Sequence, residues 1–443
     1  MGFQLRTLGH ATMLVLEEGE PLIATDPWLV GSVYWRSWWL EKYPSEDEID
    51  LVRRARQLYI THSHPDHFHW PSLRRLGPRA TIHPRFPGYN VPAFLAANGY
   101  PARVLEPWRW YAIAEGVRIA SIPVPIDDSI LIVDTPAATV VNLNDAMVRP
   151  RLLACLKSRL LTPGKPLVVM KSHSPASVAM SMFRGGERAP MKTKEDYVSA
   201  ARAMAELLGA TFFVPFASNA FFNRRDSRWA NEYKVIYEDL VRHWGGSPVT
   251  LCPPLITMDL ASGAFTSAYP SVERRLDDAR AHQVAEREGE EEAFRLPATF
   301  DAQLKRYLDE VYFLRLIFRR GIGWRLTTSG EERFYDTRRR AILARIPDEY
   351  DLIIELPDQV LSEALANNVL TDLGITMFVR VDTKIHLKVT YSVFLLMGLH
   401  DYGHFNGPKS FYRFLRYYLP YFVPSLLRAR FLLAGTPEEV RLS

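Results

Sequence analysis

Residues 60–70 read ITHSHPDHFHW, with four histidines and an aspartate in eleven positions. His62 and His64 lie two apart where the strand pattern ARQLYIT ends, so their side chains project to one side. Pro65 stops the strand, and Asp66 and His67 open a helix-like turn whose side chains point elsewhere. A corner of this kind holds two pairs of metal donors a few ångströms apart, which suits two ions better than one. The His-Glu-x-x-His helix of mononuclear zinc proteases is absent. The chain has twelve histidines, too few for His-x-His-x-Asp-His order to be an accident of composition. His69 falls outside the pattern and reads as a supporting or surface residue.

The surrounding sequence supplies a frame for such a corner. ATMLVLE and EPLIATD read as a strand hairpin through Glu18-Gly19. ATIHP, GVRIASIPV, SILIVDT, ATVVNLN, KPLVVMKS and TFFVPFAS continue the strand series. Helical patterns intervene at WPSLRRLG, VPAFLAANG and EDYVSAARAMAELLGA. Strands alternating with helices predict an α/β layered domain over residues 1–255. The charge-rich run 272–294 reads as an exposed helix or tether, within a linker at 256–294. Aromatic helix patterns and a strand pair around TMFVRVDTKIHLKVTYSVFLL predict a C-terminal α+β domain at 295–443 that carries substrate or partner contacts. Two domains fit a length of 443 residues.

Composition narrows the function classes. A net charge of +4, with basic residues interspersed among acids, argues against nucleic acid as partner. Cys155 and Cys252 are far apart and build neither a disulfide framework nor an iron–sulfur cluster, which fits a reducing cytoplasm. MGFQLRTLGHATMLVL lacks the basic start and long apolar run of a secretory signal. SFYRFLRYYLPYFVPSLLRARFLL carries four arginines and two prolines, so no transmembrane segment is expected there; it reads as a core or oligomer-facing helix pair.

THSHPDH resembles the defining motif of the metallo-β-lactamase-fold superfamily, and LGHATMLVL…PLIATDPWL resembles its opening strands. The resemblance implies an αββα sandwich with metals at one edge. It also implies further ligands at later strand ends: Asp145 as a bridging carboxylate, Asp127 or Asp128 (the latter favoured) where a third histidine is usual, and His173 after PLVVMKS. At the usual position of the final histidine stand Ala217, Ser218 and Asn219. The implied metal set is His62, His64, Asp66, His67, Asp145, His173 and Asp128, with His10 and Asp26 orienting ligands from behind. Carboxylates in place of imidazoles shift such a site from zinc toward iron or manganese.

A narrower likeness follows DDSILIV, NLNDA, SHSPAS, VPFASNAFFNRRDS and YDLIIELPDQVL, which are similar to the non-Rieske part of CMP-N-acetylneuraminate hydroxylases. The Rieske cysteine–histidine pairs of that family have no counterpart here. Stand-alone diiron monooxygenases of this fold in natural-product pathways, platensimycin and platencin diterpenoid biosynthesis among them, offer a related comparison. These resemblances imply two iron ions, O2 as co-substrate, a separate reductase as electron donor, and hydroxylation of an unactivated C–H bond in a bulky small molecule such as a diterpenoid or its CoA thioester. Arg224, Arg225 and Lys192 are candidates for holding phosphates of a substrate handle, and VYFLRLIF for lining an apolar pocket. The alternative is a dinuclear zinc or manganese hydrolase of a phosphoester, lactone or thioester, the commonest use of the fold.

Overall fold

The computed structural model describes residues 2–88, 90–125, 127–269, 274–311, 313–405, 407–422 and 440–442. Two eight-stranded sheets face each other. The first runs, edge to edge, through 265–267, 256–259, 3–8, 12–17, 20–25, 57–59, 81–84 and 102–105. The second runs through 250–251, 212–215, 167–171, 139–142, 128–134, 117–124, 110–114 and 440–441. Their inner faces interdigitate through Leu5, Met13, Val15, Ile23, Tyr59, Ile119, Leu131, Val140, Met170 and Val214. Helices 46–54, 70–76 and 91–97 cover the outside of the first sheet through Ile49, Val52, Leu73 and Leu95. Helices 150–160 and 194–208 cover the second through Leu153, Leu156, Val198 and Ala205. The αββα sandwich is therefore present, and both sheets bury their two faces, as layered α/β folds require.

Local chemistry explains the hairpin at its start. Thr12–Glu17 and Glu20–Thr25 pair antiparallel with Glu17 opposite Glu20, and Glu18 (φ 49°) and Gly19 (φ 82°) form the two-residue turn between them. Both central residues at positive φ match the right-handed twist of the strands.

Three expectations about element placement change. Phe3–Leu8 is an additional strand, bonded on one side to Thr12–Glu17 and on the other to Ile256–Asp259. The first sheet therefore runs past residue 255 into the expected linker. The charged run contains helix Asp278–Ala293, started by an Asp277 side chain that accepts from the Arg280 amide. That helix is no tether: Arg224 and Glu291, each almost fully buried, clamp it to the body with two hydrogen bonds of 2.7 Å. In the third change, LKVTYSVFLLMGLHD forms helix Leu387–Asp401 instead of a strand. Its Thr390, Val393, Phe394 and Met397 are buried at helical spacing, and packing of that face overrides the β-branched composition.

A third, seven-stranded sheet runs through 187–188, 182–184, 380–383, 352–356, 321–326, 332–336 and 341–343. It combines strands from 182–188 with those of the C-terminal half. Helix Pro408–Phe422 covers the start of the predicted C-terminal helix pair, and 423–439 lie outside the described residues. No helix among the described residues is long and apolar enough to cross a membrane.

Candidate metal centre

The histidine cluster sits where the first sheet's ladder ends. Ile60 still donates to the Ile82 carbonyl at 3.0 Å. The next amide, of Thr61, donates to Asp26 Oδ1 at 2.8 Å, so a side chain replaces the neighbouring strand. The strand therefore stops before His62, and the cluster occupies a tight turn in which the amides of His67 (3.0 Å) and Phe68 (2.7 Å) both donate to the His64 carbonyl. Helix Trp70–Leu76 begins only after His69.

Two groups of donors converge there: His62, His64 and Asp145, and His10, Asp66 and His67, with the donor atoms of each group all within 4.8 Å of one another. In the first group His62 Nε2 lies 2.8 Å from His64 Nδ1. In the second, Asp66 Oδ2 lies 3.2 Å from His10 Nε2 and 3.5 Å from His67 Nε2. Asp145 connects them, since its Oδ1 is 3.3 Å from His67 Nε2. Both of those atoms are buried and make no well-formed hydrogen bond. Orphaned donors of opposite polarity, crowded by imidazole and carboxylate, are what a cation site leaves when described by protein atoms alone. The residues present fit a pair of metal ions.

Supporting contacts fix each donor. Asp26 Oδ2 accepts from Thr61 Oγ1 at 2.6 Å and lies 2.8 Å from His67 Nδ1, which leaves Nε2 directed at the site. Tyr34 donates to Asp66 Oδ1 at 2.5 Å. Lys171 is buried at the end of strand Leu167–Lys171, and its Nζ donates to the carbonyls of Asn144 (3.1 Å) and Ala146 (2.9 Å). It thereby brackets Asp145, whose preceding residue Asn144 is held at φ 34°. Tyr34, Thr61 and Lys171 escaped the sequence reading; a lysine closing the apolar run LVVMK was the one available signal.

Electrostatics follow from this crowding. Burial, with help from neighbouring imidazoles, lowers His62 well below the usual histidine range. Burial works against the charge on His67 too, but Asp145, Asp66 and Asp26 outweigh it and raise the group well above that range. Burial and then the Asp145 charge raise Asp128 well above the usual carboxylate range. Carboxylates are thus crowded together in a buried centre, a charge that divalent cations would relieve.

Several predicted residues move. His10, expected behind the ligands, stands among the donors. Gly9 (φ 53°) makes the turn that delivers it, and a Cβ at Gly9 would lie 3.0 Å from the Trp28 carbonyl. Ala217 donates its amide to the His10 carbonyl at 3.0 Å, so the loop lacking the usual final histidine backs the imidazole that comes from the first turn. His173 joins neither group; it is buried with its amide donating to Ser218 Oγ at 3.1 Å, and burial lowers it to about 3. Asp128 is also outside the groups, with Oδ1 3.3 Å from His62 Nδ1, the nitrogen that faces away from His64. Asp127 turns the other way and accepts from Tyr418 at 2.5 Å, 2.8 Å from His404 Nε2. His69 is buried rather than at the surface, its Nδ1 2.7 Å from Ser72 Oγ at the helix start.

The substrate-handle candidates do not reach the centre. Arg224 is 1% exposed and spent on Glu291 and Asp226. Exposed Arg225 pairs with Glu292 at 3.7 Å. Lys192 is exposed, 5.8 Å from the ring of Tyr197. Phe313, Leu314 and Phe318 of VYFLRLIF pack in the core, and the apolar wall beside the donors comes from helix Leu387–Asp401 instead.

Two cavities open beside the donors. One of about 320 Å³ touches His10, His64, Asp66 and Asp145. The other, about 200 Å³, touches His62, His64, Asp128 and Asp145 and is roofed by Ile375, Tyr391, Phe394 and Leu395. The C-terminal half thus closes the open edge of the sandwich.

Residues 4–131 match the family described as the Beta-lactamase superfamily domain. Over 120 residues the chain is 32% identical to the cytidine monophosphate-N-acetylneuraminic acid hydroxylase of Danio rerio, covering 27% of this chain and 18% of that protein. Over 79 residues it is 38% identical to the Sus scrofa hydroxylase of the same name, covering 18% of each. The match therefore spans less than a fifth of these relatives' length. Among solved structures, a mutant of CmlA beta-hydroxylase superposes with a TM-score of 0.40 at 16% identity, over 58% of this chain and 54% of that one. An isothiocyanate hydrolase from Delia radicum gut bacteria gives 0.41 at 13% identity, over 60% and 98%.

Proposed function

We propose that this chain is a non-haem diiron monooxygenase that hydroxylates an unactivated C–H bond of a small molecule, using O2 and electrons from a separate reductase. The observation that carries the reading is the donor set: His10, His62, His64 and His67 share the centre with Asp66 and Asp145, and Asp128 stands at its wall. Carboxylate oxygens are hard donors that suit iron. The local likeness to hydroxylases supports the same reading.

Two iron ions held by these groups would supply activation of O2 for C–H oxidation. The protein's own part is placement and enclosure. Asp26 and Thr61 hold His67 in one ring orientation, and Tyr34 occupies one oxygen of Asp66 so that the other faces the site. Lys171 fixes the loop that presents Asp145 to both groups. Ile375, Tyr391 and Phe394 press an apolar surface toward the donors, which excludes water and orients a C–H-rich substrate.

A hydrolase remains the second reading, favoured by one observation: each group taken alone offers two imidazoles and one carboxylate, a set that zinc also accepts. Metal analysis separates the two. Protein from iron-replete medium, purified without chelator, should hold close to two irons per chain and consume O2 only when a reductant is present. Anaerobic turnover of an ester or lactone with zinc and no electron donor would overturn the oxygenase.

A further inference from the structure

We propose that helix Pro408–Phe422 docks this protein reversibly on a membrane surface that carries anionic phospholipid, the helix lying parallel to that surface. The proposal does not depend on the chemistry of the metal centre.

One face of the helix is packed and the other is not. Phe414 and Tyr418 are buried, and the Tyr418 hydroxyl donates to Asp127 Oδ1 at 2.5 Å. Tyr417 donates its hydroxyl to the Arg85 carbonyl. These contacts hold the inner face to the body. On the outer side Tyr412, Leu415 and Leu419 follow at steps of three and four residues, which aligns them in one stripe, at 64%, 40% and 42% exposure. Lys409, Arg413 and Arg416, all exposed, follow at steps of four and three and form a second row beside the first. The stripe borders an open groove of about 1030 Å³ whose walls include Phe405, Phe411, Tyr412 and Leu415, so apolar surface continues past the helix.

Charge selects the occupant. Residues 402–437 contain five lysines and arginines and no aspartate or glutamate. The helix therefore presents an apolar stripe beside a row of cations with no acid of its own. A helix of this pattern settles where headgroups meet acyl chains, its leucines at the hydrocarbon margin and its basic residues at the level of the phosphates. Other occupants fit less well. An acidic protein surface answers the cations but sets charge against Leu415 and Leu419. A second copy of the chain answers the leucines but crowds two such cation rows into one isologous interface. No described helix is long and apolar enough to cross the bilayer, which leaves its surface.

Vesicle sedimentation of the full chain tests this, with vesicles of phosphatidylcholine alone against vesicles of phosphatidylcholine and phosphatidylglycerol in equal parts. The mixed vesicles should bind the protein about ten-fold more tightly than the neutral ones, and raising salt from about 0.1 M to about 0.5 M should release it. Two triple variants divide the contributions, with thermal melting to verify that each is folded. Tyr412→Ser/Leu415→Ser/Leu419→Ser should lose binding to the mixed vesicles. Lys409→Gln/Arg413→Gln/Arg416→Gln should lose most of the preference for mixed over neutral vesicles. No sedimentation with mixed vesicles, equal binding to neutral ones, or binding unchanged in either folded variant would overturn the proposal. A dimer in light scattering that the serine variant converts to monomer would overturn it in favour of a second copy.

Discussion

Asp145 faces both donor groups, 3.3 Å from His67 Nε2 and clustered with His62 and His64. Its loss removes a donor from the group of His62 and His64 and the carboxylate that faces His67 of the other, so Asp145→Ala should bind neither metal stably. His10 serves one group only, so His10→Ala should retain about one ion per chain by mass spectrometry of the metal content. His173→Ala should keep both. Asp26→Asn leaves every donor in place but weakens the hold on His67 Nδ1, and metal affinity measured by chelator competition should fall about 10- to 100-fold. The four donors of THSHPDH were legible because their spacing alone places them on one turn. His10 and His173 were not, because a histidine after a glycine turn and a histidine after a strand look alike in sequence. What separates them is the packing of the Ala217 loop against the first turn, a contact across more than 200 positions.

Helices in this chain are held to the body by buried charge as well as by apolar faces. Helix Asp278–Ala293 is highly charged, and its anchor is Glu291, which also accepts from Arg287 Nε at 2.8 Å. Removing the Arg224 guanidinium leaves that carboxylate buried beside a single cation, and Arg224→Ala should lower unfolding free energy by about 3–5 kcal/mol in urea titrations. Strand and helix patterns of the sandwich were readable from apolar periodicity, but the binding of this helix was not, since charge runs carry no sign of a distant buried partner. Helix Leu387–Asp401 ends on a second such group. Asp401 accepts from Tyr307 (2.7 Å) and from the Thr371 amide (2.9 Å), yet burial raises it to about 7. A carboxyl with a folded value above its unfolded one favours the folded state most fully below about pH 4. That contribution is lost as pH rises toward 7. Asp401→Asn should therefore flatten the decline in stability between pH 4 and 7, as read from denaturant midpoints at each pH.

At the scale of the whole molecule, the question is whether the sandwich and the C-terminal half are separable. Length and composition favour two domains, and the third sheet has its own strand order. One apolar cluster nevertheless runs from Ile130, Val141 and Val169 on the outer face of the second sheet through Leu153 and Val198 to Leu304, Trp324, Leu352 and Phe394. Strand Met182–Arg184 leaves the sandwich to pair with Arg380–Thr383, with Met182 opposite Val381. The metal chamber likewise takes its roof from residues 371–402. Cutting the chain near residue 294 would expose that continuous apolar face and leave the centre open to water. Residues 1–294 alone should therefore aggregate or melt without a cooperative transition. The full chain should unfold in one calorimetric step, with its midpoint raised by bound metal in proportion to the logarithm of free metal concentration. Two resolved transitions, or a soluble 1–294 fragment that keeps both ions, would show that the shared core contributes little and that the halves are independent after all.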